Sequence, residues 1–359
     1  MATATATRNT PAAPAGNKKR KKNALSDGQG RLAWILLAPT MLVIIVVAGI
    51  PVLLSIRESF FQTNSGVDPV TGLVGGGEQF TGLLNFSNIF SDQTSVQGSY
   101  GEMGRFWNAF WNTTLFTVVC VAFETVLGVI MALIMAKAFR GRGIVRAGIL
   151  VPWAIPTIVS ALMWKLIFDE AGVMNRILGR QILWLADEGS SFWAIVIADV
   201  WKTAPFIALL TLAGLQTIPA ECYEAAKVDG ASTWQTFTRI TLPMVKPTLV
   251  VAVLFRTLDT MRMFDLPWGM VGPGKYRVET LSIFAYQEAT ATRYGPAAAY
   301  AIVLFLYVLL VAFVFVKLLG ADVIGDAAPS GKKKSRKDRK RADTVAEESS
   351  ALISMGGNH

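Results

Sequence analysis

A set of ionisable side chains lies where the chain is otherwise apolar, and their spacing limits what they can do. Arg256, Asp259, Arg262 and Asp265 recur every three residues. On a helix their Cα directions drift by about 60° per step and trace one slanting band. Opposite signs three apart can pair. Asp199 and Lys202 make a similar pair, with Trp201 between them and Pro205 one turn on, and Glu124 stands alone in an earlier apolar stretch. Charges at membrane depth are costly and face a cavity or a partner. The band therefore reads two ways: a ladder of ion pairs tying one helix to its neighbours, or a polar wall whose carboxylates and guanidinium groups exchange hydrogen bonds with a solute. Glu124 is equally open to pairing with a neighbouring helix. Enzyme chemistry is not expected. The one histidine is the last residue, His359, and there is no HExxH or GxSxG. Neither Gly272-Pro273-Gly274-Lys275 nor Gly331-Lys332 has phosphate-loop spacing, so the chain should hydrolyse no ATP itself. Cys120 and Cys222 are lone thiols that make neither a disulfide framework nor a metal site.

The elements that carry these residues are set by composition. The chain has 359 residues, a mean hydropathy of +0.44 and only 16% charged residues, against about 25% in soluble domains. Six stretches reach the roughly 20 apolar residues of a membrane span: Ala33–Ile56, Ala109–Ala136, Ala147–Phe168, Phe192–Leu215, Thr248–Phe264 and Ala297–Leu319. The fifth is short and interrupted by Arg256, Asp259 and Arg262. Barrel strands would be about half as long and would alternate, so an all-α polytopic membrane protein is expected. The first apolar run is too long, and too far from the start, for a signal peptide.

A net charge of +9 invites a nucleic-acid reading, but most of the 34 Lys and Arg fall on one side of the spans. They cluster at Lys18–Lys22, between spans two and three, between four and five, and at 332–341. The opposite loops hold Arg57, Arg105, Arg176, Arg180, Lys275, Arg277 and Arg293. The positive-inside rule then places both termini in the cytoplasm. Basic tails at 1–31 and 320–359 read as disordered, orienting the chain and touching anionic lipid, and 32–319 reads as one transmembrane domain. The outer loop from Arg57 to Trp107 contains Gly75-Gly76-Gly77 and ends in an interfacial aromatic cluster, Phe106-Trp107 and Phe110-Trp111. Asp169–Ser191 reads as an interfacial helix on the outer surface. Pro152 and Pro156 should kink span three around Trp153, a gate or packing element.

Between spans four and five lies a polar island, 219–247, too rich in Ala and Glu for a slack loop and too charged for lipid. Pro219 suits a helix start, and Glu221 and Glu224 favour the positive pole of its dipole. Ala225, Ala226 and Ala231 keep the surface small, and Gly230 permits a sharp change of direction. Trp234, Phe237 and Ile240 recur at spacing three as an apolar stripe.

This stretch resembles the EAA loop of ABC importer permeases. Glu224, Ala225, Ala226, Gly230, Ile240, Leu242 and Pro243 fill every place of the pattern Glu-Ala-Ala, three residues, Gly, nine residues, Ile, one residue, Leu-Pro. Phe80-Thr81-Gly82-Leu83-Leu84-Asn85-Phe86, Arg140-Gly141-Arg142-Gly143, Leu150-Val151-Pro152-Trp153 and Phe264-Asp265-Leu266 are similar to the MalF-like branch of carbohydrate permeases. In general likeness the chain is similar to SugA-type permeases of actinobacterial trehalose importers. Where that branch has Thr-Gly-Gly-Gly-Pro after span five, this chain has Val271-Gly272-Pro273-Gly274.

The resemblance implies a type I importer permease of six spans in the bacterial cell membrane. It would pair with a second, homologous permease, two ABC ATPase subunits that use ATP and Mg²⁺, and an extracellular sugar-binding lipoprotein. No cofactor is expected on this chain and no nucleic acid as partner. Glu221, Glu224, Ala225, Ala226, Asp229, Gly230, Ala231, Phe237, Ile240, Leu242 and Pro243 would engage the ATPase. A sugar path needs flat apolar faces beside a few polar groups, which spans four and five offer as Asp199, Trp201, Phe206, Asp259, Arg262, Phe264, Asp265 and Trp268. The cargo expected is a disaccharide such as trehalose or maltose. The alternatives are an importer of a glycerol phosphodiester or an amino acid, and an ion-coupled secondary transporter. The last would show internal repeats, and spans one to three show no likeness to four to six.

Overall fold

The computed structural model describes residues 24–64, 77–91 and 104–317. The tails expected at 1–31 and 320–359 lie outside them, except that residues 24–31 open the first helix. That helix, α1 (Ala24–Ile44), runs through a π turn (Ile45–Gly49) into α2 (Ile50–Glu58). Leu32–Glu58 is long and apolar enough to cross a membrane, and its most apolar window buries nothing. It belongs to a compact unit of its own, ending at Arg57.

The second unit opens with a hairpin, β1 (Phe61–Asn64) and β2 (Gly77–Phe80), in antiparallel register with Phe61 opposite Phe80. A short helix, α3 (Leu84–Ser91), follows, and its buried Asn85 donates to the carbonyls of Ser59 (2.8 Å) and Phe61 (2.9 Å). Then come α4 (Arg105–Ala136), α5 (Arg142–Ala154), α6 (Thr157–Ile167), α7 (Val173–Leu178) and α8 (Glu188–Leu215). Helix α9 (Ala220–Val228), α10 (Thr233–Thr236) and a π turn (Phe237–Thr241) lead into α11 (Leu242–Thr260). Last are α12 (Asp265–Met270), α13 (Leu281–Thr290) and α14 (Tyr294–Phe315). Among the described residues five helices are long and apolar enough to cross a membrane, and the pair α5–α6, counted as one bent span, makes six.

Small residues draw the central helices together, as in membrane bundles. A Cβ added at Gly128 of α4 would lie 2.7 Å from the Ile207 side chain of α8, and Ala132, Ala204 and Ala208 are fully buried along the same seam. Gly214 does the same for α8 and α11, where an added Cβ would meet Thr248 at 2.9 Å. The largest buried cluster gathers Phe116, Trp164, Phe168, Phe192, Leu266 and Met270 from α4, α6, α8 and α12 and the turn closing α6.

Two expectations need correction. The span expected at Ala147–Phe168 is not a kinked helix but two helices bent by 97°. Ile155, held extended (φ −74°, ψ 133°) by the proline that follows it, breaks the ladder. The interfacial helix expected over Asp169–Ser191 shrinks to α7, because Gly179 turns left-handed (φ +62°) directly after Leu178. Buried Asn175 then ties the rest of the segment, donating to the Glu170 and Ile182 carbonyls and accepting from Trp184 Nε1 at 2.9 Å.

Hydropathy gave no sign of α12 and α13, which pack on α6 and α14. The turn between them is held by the polar N-terminal face of α4. Asn108 and Asn112 each donate to the Tyr276 carbonyl at 2.6 Å, and Thr113 Oγ1 accepts from the Leu281 amide at 2.9 Å. Arg105 pairs with Glu279 at 2.6 Å and also reaches Gln287. Burial holds the Glu279 carboxyl above its ordinary range, although neighbouring Arg105 pulls it down.

Candidate functional site

Two regions of this second unit carry unusual chemistry. The first is built around Arg256 on α11. Its Nε donates to Glu124 Oε2 at 2.6 Å, its Nη2 to Glu124 Oε1 at 2.9 Å and Asp199 Oδ2 at 2.7 Å, and its Nη1 to Asp259 Oδ2 at 2.6 Å. The guanidinium is 4% exposed, Glu124 0% and Asp199 9%, whereas Asp259 is 67% exposed. Bidentate pairing of this kind is the geometry Arg is suited to. Thr203 Oγ1 completes the shell, 2.7 Å from Glu124 Oε1 and 2.6 Å from the Asp199 carbonyl. Cys120 Sγ and the two buried carboxylates lie within 4.8 Å of one another, a spacing a metal could use. Here the guanidinium already stands in the cation's place.

The i,i+3 ladder thus forms at only one rung, Arg256–Asp259. Arg262 turns back to the Leu258 carbonyl (3.2 Å) instead of to Asp259 or Asp265. Nor does Lys202 pair with Asp199. Its Nζ donates to the Ile155 carbonyl at 2.6 Å, serving an acceptor at the break between α5 and α6. Ile155 is half-buried, and a hydrogen bond from a charged donor contributes about 1–3 kcal/mol, so Lys202 stabilises the bend.

These groups floor a cleft of about 230 Å³ lined by Trp153, Thr157, Asp199, Lys202, Arg256, Asp259, Thr260, Arg262, Phe264 and Asp265. Asp199, Asp259 and Asp265 balance Lys202, Arg256 and Arg262 around it. Of the expected path residues, Asp199, Asp259, Arg262, Phe264 and Asp265 line the cleft. Trp201 does not: two residues from Asp199, it lies about 200° round the helix and packs edge-on against Trp164. Phe206 sits behind the wall, stacked on Trp153 (6.2 Å), and Trp268 stacks behind Phe264 (5.6 Å). Arg256, Lys202 and Thr203, which were not among the expected path residues, also line the cleft, and Glu124 lies fully buried behind Arg256.

The second region is 219–247. Helix α9 starts after Pro219 and carries Glu221 in its first turn. It ends at Asp229 in a Schellman motif: the Ala231 amide donates to Ala226 O (2.9 Å) and Gly230 to Lys227 O (3.1 Å). Gly230 has φ +69° and open space around it, so the demand there is conformational rather than steric. Ser232 then caps α10 reciprocally with Gln235, at 3.2 and 2.8 Å. Glu221, Glu224, Ala225, Asp229, Gly230, Leu242 and Pro243 are exposed; Ala231, Phe237 and Ile240 are half-buried, and Ala226 packs inward. The expected stripe of Trp234, Phe237 and Ile240 is broken. Trp234, 72% exposed, and Phe237 pack at 5.7 Å on one face, whereas the π turn from Phe237 to Thr241 shifts the helical phase and takes Ile240 off it.

Residues 124–324 match the family model described as binding-protein-dependent transport system inner membrane component. The chain is 36% identical over 296 residues to the trehalose/maltose transport system permease protein MalF of Thermococcus litoralis, covering 81% of this chain and 94% of that one. It is 35% identical over 308 residues to the trehalose transport system permease protein SugA of Mycobacterium tuberculosis, covering 85% and 92%. The sulfoquinovosyl glycerol transport system permease protein SmoG of Agrobacterium fabrum is 34% identical, covering 82% and 92%. The fold is similar to a bacterial ABC transporter that imports the acidic polysaccharide alginate, with a TM-score of 0.67 at 21% identity over 81% of this chain and 96% of that one.

Proposed function

The chain belongs to the binding-protein-dependent transport system inner membrane components, and on that premise we propose that it is the permease of an ATP-driven carbohydrate importer whose loop 219–247 couples to the ATPase. One observation carries the coupling half of this reading. The loop joins the end of α8 to the start of α11, the two helices that bear Asp199, Lys202, Arg256 and Asp259. At 1.5 Å per residue, Leu215 lies about 24 Å from Asp199 and Leu242 about 21 Å from Arg256. A push on a loop pinned at Gly230 and Ser232 therefore reaches the cleft through two continuous helices. ATP and Mg²⁺ are used by two partner ATPase subunits, and their closure switches the path between its two states.

The relatives named for trehalose and maltose supply the cargo class. A lining of balanced charge, with Asp259, Asp265 and Arg262 beside the faces of Phe264 and Trp153, suits an uncharged polyol better than an ion. At about 230 Å³ the cleft is smaller than the roughly 300–1,000 Å³ of a complete ligand pocket. That fits half a site completed by a second permease, with sugar delivered by an external binding protein. The test is uptake of labelled trehalose and maltose by proteoliposomes holding this chain and the subunits encoded beside it. ATP-dependent uptake lost in Gly230→Pro at normal incorporation supports the reading. Uptake that Gly230→Pro leaves intact overturns the coupling assignment, and uptake of amino acids but no sugar overturns the cargo.

A further inference from the structure

Beside the loop lies an apolar groove of about 1150 Å³ between α4 and the segment from α9 to the start of α11. Its walls include Val126, Val129, Ile130, Leu133, Leu215 and Leu249. Among the described residues, its only charged lining side chains are Lys137 and Lys227; no carboxylate lines it. Both lysines are exposed, and neither has an ion pair or side-chain hydrogen bond among the described residues. Trp234 stands at the same rim, tilted on Phe237 at 5.7 Å. From Lys137, one residue beyond the end of α4, to Val126 is about 16 Å at 1.5 Å per residue. Half the hydrocarbon core of a bilayer is about 15 Å.

The groove is thus one leaflet deep, greasy along its length, and basic with an interfacial aromatic at its mouth. We propose that it binds an anionic phospholipid of the leaflet on the loop side, with an acyl chain along Val126–Leu133 and the phosphate between Lys137 and Lys227. A basic pocket between membrane helices is the usual setting for an anionic headgroup. A protein helix would bury the apolar wall equally well but would need a carboxylate to meet two lysines. The lipid touches α4 on one side and α9 and α10 on the other, so it props the loop against the helix that carries Glu124.

Native mass spectrometry of the full chain, with the subunits it carries, tests this after release from phosphatidylcholine nanodiscs containing a minority of phosphatidylglycerol. The wild type should retain phosphatidylglycerol selectively. With each lysine worth about 1 kcal/mol at a membrane surface, Lys137→Ala with Lys227→Ala should lower that selectivity about 30-fold, and the double Arg variant should keep it. Ile130→Trp, which fills the groove and leaves the charges alone, should expel the lipid whatever its headgroup. Unchanged selectivity in the double Ala variant overturns the site. So does undiminished retention in Ile130→Trp, which would mean general surface attraction, or a partner's helix filling the groove in the assembled importer.

Discussion

Glu124 and Glu224 are both glutamates on helices of one unit, and they differ in where their partners are. Glu124 is fully buried and spends its oxygens on Arg256 and Thr203. Glu224 is exposed, in a loop whose own backbone is already satisfied by the Schellman motif and the capping box. Where every partner lies inside the chain, a charge near the membrane midplane holds helices in register. Where a rigid element presents carboxylates and an aromatic outward, as around Glu224, we propose that its partner is another molecule. The first kind of region should fail by unfolding, and the second by losing function while it stays folded.

The sharpest way to break this contrast is Arg256→Met. It strands two buried carboxylates, and losing one side of a buried pair costs about 3–5 kcal/mol. The protein should fail to survive extraction as a monodisperse species in size-exclusion chromatography. Adding Glu124→Gln and Asp199→Asn should recover most of the folded protein, since no buried carboxylate is then left unpaired and Asp259 is exposed to solvent. A stable single variant would mean that the cluster does not hold α4, α8 and α11 together. Next in size is Glu224→Lys, which should abolish ATP-dependent uptake and leave the thermal unfolding midpoint where it was. A large drop in that midpoint would place Glu224 with the structural charges instead.

Lys202→Met sharpens the comparison from within the buried region. Removing the donor to the Ile155 carbonyl should cost about 1–3 kcal/mol and speed hydrogen exchange at the break between α5 and α6 more than elsewhere. Uniform exchange along that span would show that the bend needs no lysine. The smallest effect belongs to Asp187, the N-cap of α8, whose carboxyl is held below its ordinary range by hydrogen bonds from the backbone and side chain of Ser190. A lowered folded value means stability present above the unfolded pKa and lost as pH falls through the folded one. Asp187→Ala should therefore be slightly less stable than the wild type at neutral pH. The difference should shrink as pH drops below the usual aspartate range of about 3.9; a gap that stays constant with pH would contradict the cap.

How much of this was legible in the sequence follows from the range of each interaction. The long apolar runs and the Glu224–Pro243 pattern are local, and they gave the spans, the loop and the turn at Gly230. The Arg256 cluster was half visible. Asp259 is three residues away, but Glu124 and Asp199 lie 132 and 57 residues off, and nothing in a periodicity ties them to it. The prolines signalled a kink in span three, while its 97° angle goes with a lysine 47 residues from the carbonyl it serves. Trp201 looked like a sugar platform because it sits beside Asp199 in sequence; on a helix, adjacency in sequence means different faces. The short helices α12 and α13 are too brief for a span-length window and are held by Asn108, Asn112 and Arg105 from far along the chain.

The measurement that tests the central claim most directly is mass spectrometry of what co-purifies with this chain from its own membranes in mild detergent. An ABC ATPase and a second permease should be recovered with the wild type, and the ATPase should be lost from Glu224→Lys while the permease stays. Recovery of the chain alone, in a state that survives control purifications, would contradict a permease that depends on partner subunits. It would point instead to a self-sufficient transporter.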